Sequence, residues 1–282
     1  MRQHRVLSVL VFASLMILCA VPNIASAQDQ PVTYELVTPY YRLKSYSAPK
    51  EDTALARAAL DDAITNLLDH FDHDGLDQLL RNVSVTIHLH AAPTPQANEH
   101  TATARTGTRD GKIATYYADI HLLAPSSMPE GLLTSAGLPK DEAYFQRLIT
   151  HEYSTVPLQL ITRAKPEGWR FSSAPSWFLQ GYEEYLAYTA SPGDQHDATE
   201  HIVSLVRQRP DRVQADFGLD VTDPYITGAV LVMFMHEQYG PERVHAILTS
   251  PEPGFGAAAR ASLGVSLDDF FAHWQAWIAV QP

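Results

Sequence analysis

His151-Glu152-Tyr153-Ser154-Thr155 is the stretch on which the reading of this chain turns, together with the run Pro175-Ser176-Trp177-Phe178-Leu179-Gln180-Gly181-Tyr182-Glu183-Glu184-Tyr185 that follows it. On a helix, residues i and i+4 share a face, so a His-Glu-x-x-His run presents two imidazoles to one zinc ion and sets the glutamate beside a metal-bound water. Here the first His and the Glu are present, and Thr155 stands where the second His belongs. His-Glu alone says little, since His236-Glu237 repeats the pair in another apolar stretch without that context.

The ordered set is more specific. After His151-Glu152 come Trp177-Phe178-x-Gln180-Gly181-x-x-Glu184-Tyr185, Tyr225-x-x-Gly228-Ala229, Tyr239-Gly240-Pro241-Glu242, and Leu263-Gly264-x-Ser266-Leu267 leading to Trp274 and Trp277. From about residue 32 to 279 this pattern resembles the gluzincin branch of zinc metallopeptidases, in particular the bacterial peptidase MA-like proteins. The resemblance implies an α+β, zincin-like fold: a small, mostly antiparallel N-terminal sheet with a flanking helix, then an all-helical half, with a cleft crossed by the His151 helix. It implies that the strand before that helix, Asp119 to Leu123, is an exposed edge against which a peptide could pair.

In that family the Glu before the Gly is the third zinc ligand, and here that residue is Gln180. His151 is thus a vestigial metal position, with Thr155 and Gln180 at the lost ligand positions. Glu152 and Tyr225 are vestigial catalytic positions; Tyr225 matches a tyrosine that donates its hydroxyl to the tetrahedral oxyanion, or is a packing residue at a helix start. Glu184 matches a carboxylate that orients a ligand histidine, or is a structural hydrogen-bond acceptor.

Donor chemistry decides what these losses mean. A catalytic zinc site uses three protein side chains and a water whose pKa falls to about 7. A threonine hydroxyl and a glutamine amide are weak neutral donors, so no cofactor is expected and Glu152 has no activated water to deprotonate. Glu183, three residues after Gln180, is expected to project from a different part of the turn. A repaired site would need His121 or another distant His. The expectation is an inactive, peptidase-like protein whose cleft holds a peptide or a partner. The alternatives are an active zinc-dependent metallopeptidase with an altered ligand set, and a structural protein whose cleft has filled in.

Residues 1 to 27 read as a secretory signal. Arg2 and Arg5 precede the apolar Val6 to Ala20, and Ala25-Ser26-Ala27 suits cleavage. Cys19 would leave with this segment, so the mature chain has no thiol and is expected to be secreted or periplasmic, without a membrane span. The net charge of −12 becomes −14, with 18 basic against 32 acidic residues, once Arg2 and Arg5 are removed. Such a balance repels nucleic acid.

The expected division is a β-rich 28–130 and a helical 131–282. Two short strands fall within Val32 to Ser47, and an amphipathic helix runs from Asp52 to His70, with Asp52 or Thr53 as cap. Asp69 to Gly75 is rich in ligand-type residues and reads as a helix end or a surface metal site. Val83 to His90 alternates, which turns His88 and His90 the same way; with no third ligand apparent, both are expected in solvent. Ala91 to Gly111 reads as a hairpin loop and Ile113 to Leu123 as a strand. Helices follow over Glu142–Ala164, Pro175–Thr189, Ala198–Gln208, Pro224–Tyr239, Pro241–Leu248 and Leu267–Val280. Pro157 should kink the first of these or cost about 3 kcal/mol.

Overall fold

The computed structural model describes residues 31–71, 75–98, 102–108, 112–134, 136–164, 168–190, 195–208 and 223–281. The expected signal, residues 72–74 of the ligand-rich run, and the turn expected at 191–194 lie outside the described residues. Residues 31–282 cluster as one compact unit.

A five-stranded sheet forms the first part: β1 (Tyr34–Val37), β2 (Arg42–Tyr46), β3 (Ser84–His90), β4 (Thr103–Thr108) and β5 (Tyr116–Leu123), in spatial order β1-β2-β3-β5-β4. The sheet is mixed, not mostly antiparallel. β1–β2 and β4–β5 are antiparallel, whereas β2–β3 and β3–β5 are parallel. β2–β3 is parallel because their connection carries α1 (Lys50–His70) and α2 (Leu76–Arg81), a helix crossover that returns the chain to the same end of the sheet, and β3–β5 is parallel because the chain runs back along β4 between them in sequence. A second correction concerns the edge. β5 lies between β3 and β4, so the open edge is β4, inside the stretch expected to be loop.

Strand alternation works as the side chains dictate. Leu43, Val85, Ile87, Leu89, Tyr116, Ala118, Ile120 and Leu122 are all buried on one face, in one core with Ala56, Leu60, Ile64 and Leu67 of α1. α1 starts after Pro49 rather than at an Asp52 or Thr53 cap; Asp52 is buried and accepts hydrogen bonds from Ser126.

The helical part comprises α3 (Glu142–Arg163), α4 (Ser176–Ala190), α5 (Gln195–Arg207), α6 (Ile226–Tyr239), α7 (Pro241–Leu248), α8 (Phe255–Leu263) and α9 (Leu267–Ala279). Asp141 caps α3 by accepting from the Tyr144 N–H, and Ser266 caps α9 by accepting from the Asp269 N–H. α3 stays helical through Pro157, which is buried. Trp177, Phe178, Phe255, Phe270, Phe234 and Trp274 interlock at ring separations of 4.6 to 6.1 Å, tying α4, α6, α8 and α9 together.

α4 packs against α6 through glycine. A Cβ at Gly181 would overlap the Gly228 backbone, and one at Gly228 would overlap the Trp177 carbonyl oxygen and the Gly181 Cα. Backbone therefore touches backbone at this crossing.

Candidate functional site

α3 and α4 lie side by side, and their facing residues build the site. His151 is 7 % exposed. Its Nδ1 sits 2.8 Å from Glu184 Oε2 and its Nε2 sits 3.8 Å from Glu183 Oε2. The 2.8 Å approach lies outside the direction along which a ring N–H donates, so the pair is held by charge. One turn further along α3, the Thr155 hydroxyl donates to Glu183 Oε1 at 2.6 Å.

Glu183 therefore corrects the sequence reading. It does not point away: its carboxylate, 2 % exposed, bridges His151 and Thr155, the two i, i+4 positions. The signal was available, because Gln180, Glu183 and Glu184 stand at i, i+3 and i+4 and so share a helix face.

Charge follows from this arrangement. For His151, burial is the largest influence and works against the imidazolium, but Glu184, Glu183 and Glu152 together carry the pKa up to about 9. Burial pushes Glu183 up to about 7, opposed by His151 and by the Thr155 hydroxyl. Glu152 is also raised by burial, with His151 opposing. At neutral pH His151 is therefore a cation, while Glu183 beside it is close to half protonated.

His151, Glu152 and Glu184 line a cavity of about 360 Å³. Tyr144, Tyr188 and Tyr225 supply ring walls, Arg147 and Lys140 cations, and Ala102, just before edge strand β4, one rim. Arg147 stacks over the Tyr188 ring at 5.6 Å. Tyr225, 46 % exposed, has its ring 5.7 Å from that of His151. Burial raises its hydroxyl pKa, and Glu152, Glu183 and Glu184 add to that, so it stays a neutral donor.

The structure thus brings together His151, Glu152, Glu184 and Tyr225 around one cavity, with Thr155 tied to Glu183 behind it. Gln180 is half-buried and does not line that cavity. Sequence reasoning missed Glu183, Tyr144 and Arg147.

The donor set does not fit a catalytic zinc ion. Zinc needs nitrogen lone pairs and carboxylates converging at about 2.0 to 2.2 Å. One imidazole is offered, Thr155 spends its hydroxyl on Glu183, and Gln180 is not at the cavity.

A second histidine group lies on the sheet face away from α1. His88 and His90 do point the same way, but they are not in solvent. His90 is 2 % exposed, and His121 from the neighbouring strand joins them.

Comparison of the chain with protein-family models, with curated proteins and with solved structures finds no match to any of them.

Proposed function

We propose that this chain is an exported, metal-free counterpart of zinc metallopeptidases that uses its cavity to bind rather than to cleave. One observation carries the reading: the Thr155 hydroxyl, at the position of the second ligand, is spent on the Glu183 carboxylate at 2.6 Å, and that carboxylate also lies 3.8 Å from His151 Nε2. With His151 paired to the Glu184 carboxylate at 2.8 Å and Thr155 committed to Glu183, position 155 offers no second strong ligand to share a metal with His151.

What remains suits recognition. Glu152 presents a carboxylate on the cavity floor, Tyr225 a hydroxyl and Arg147 a guanidinium on the walls. The open edge of β4 runs from the rim at Ala102, where an extended peptide could add its own strand through main-chain hydrogen bonds. A peptide or a protein segment is therefore the occupant we assign, with no nucleic acid and no cofactor.

The test is metal content. Purified mature protein, loaded with zinc and then desalted, is expected to retain far less than one equivalent, and a chelator is expected to leave its stability unchanged. One tightly held zinc per chain, with chelator-sensitive hydrolysis lost in Glu152→Gln, would instead establish an active peptidase with an altered ligand set.

A further inference from the structure

The sheet-face histidines form an ordered array. The rings of Tyr46, His88, His90 and His121 lie parallel to within 14°. His88 stacks on His121 at 4.3 Å, and Tyr46 stacks on His90 at 4.9 Å. Register explains the assembly, since His88 pairs with His121 across the parallel β3–β5 ladder and Tyr46 pairs with His90 across β2–β3.

The hydrogen bonds in the array constrain its protons. His90 Nε2 and His121 Nδ1 are 3.1 Å apart, so one must donate and the other accept. His88 Nδ1 meets the Tyr46 hydroxyl at 2.9 Å, and its Nε2 meets Asp119 Oδ1 at 3.4 Å. Among the described residues His90 Nδ1, which is buried, has no partner. If both His90 and His121 were protonated, two N–H groups would oppose each other with no acceptor between them. A further buried N–H would then also lack a partner.

The surrounding charges do not offset this. From β2 the array faces Tyr46 and Lys44, from β3 its own His88, from β5 Asp119, and from β4 Arg105, with Glu35 of β1 acting on Tyr46. Among the described residues Asp119 is the one acid acting on the imidazoles; Lys44 and Arg105 add positive charge. Burial, and then the neighbouring imidazoles, push His90 and His121 down to about 4, and burial lowers His88 as well.

The array also has a mechanical connection. His121 pairs with Thr103, the first residue of edge strand β4, and Ala102 before it is part of the cavity rim. We propose that His88, His90 and His121 form an acid-operated latch: proton uptake forces His90 and His121 apart, releases the start of β4 from β5, and loosens the rim of the cleft. The inference stands on the sheet geometry and does not depend on what the cavity binds or on whether it holds metal.

Hydrogen exchange of the full mature chain between pH 7 and pH 4.5, corrected for intrinsic rates, tests it. Protection of the 102–108 amides is expected to fall at least about tenfold with acid while the α6 amides keep theirs. In His90→Gln and in His121→Asn that acid dependence should vanish. Equal loss in α6, no loss at 102–108, or an unchanged acid response in the variants overturns the proposal. An independent readout needs no substitution: the wild-type imidazole C–H resonances of these three residues should stay at their neutral positions well below pH 6.5, and ordinary titration near 6.5 would also overturn it.

Discussion

His151 and His90 are each less than a tenth exposed, yet they are held in opposite protonation states. In the cleft, two carboxylates reach the two ring nitrogens of His151 and keep it charged. On the sheet, His90 meets another imidazole at one nitrogen and nothing at the other, so it stays neutral. Burial is common to both sites. What differs is the kind of group that reaches the ring, and that choice fixes whether each site stores a charge or excludes one.

The strongest way to break this contrast is to remove the nearer anion. Glu184→Gln leaves a buried imidazolium with a weaker set of partners, and a loss of about 3 to 5 kcal/mol is expected in urea unfolding at pH 7. A loss under about 1 kcal/mol would mean that His151 is not charged.

Smaller effects should separate the sites by pH. The raised pKa of His151 gives stability that is complete below about 6.5 and drains away as pH climbs through about 9. The lowered pKa values of His90 and His121 work on the other side: their contribution is present above 6.5 and fades as pH drops toward about 4. His151→Gln should therefore flatten the alkaline limb of unfolding free energy against pH. His90→Gln should flatten the acid limb, by roughly the 1 kcal/mol of a lost hydrogen bond. If either variant altered the opposite limb, the two sites would not be independent.

The smallest expected effect sharpens the functional side. Tyr225 is about half exposed, so Tyr225→Phe should change stability by no more than about 0.5 kcal/mol. Any change in peptide binding would then report contact with the ligand.

Much of this was legible in the sequence where one periodicity rules. The helix Pro241–Leu248 falls where its opening proline puts it, and the even spacing of His88 and His90 places both on one sheet face. His121 was invisible as their neighbour, because the β3–β5 register is set by the long connection through β4 and not by local spacing. β4 was missed because Thr103–Thr108 has almost no apolar alternation, as suits an edge strand. Glu183 was missed because the family pattern marks positions 180 and 184 on that helix face and not 183. Helix rotation, which tertiary contacts set, decided instead which of three residues on that face meets His151.

The glycine contact between α4 and α6 has a consequence for chemistry that neither residue could perform. With no side chain as spacer, the two helices bottom out on each other, which fixes the depth and roll of α4. Glu183 and Glu184 are carried two and three residues beyond that stop, so their reach toward α3 is gauged by it. One added methyl at Gly181 or Gly228 would act as a shim, tilting both acids off the cation they neutralise.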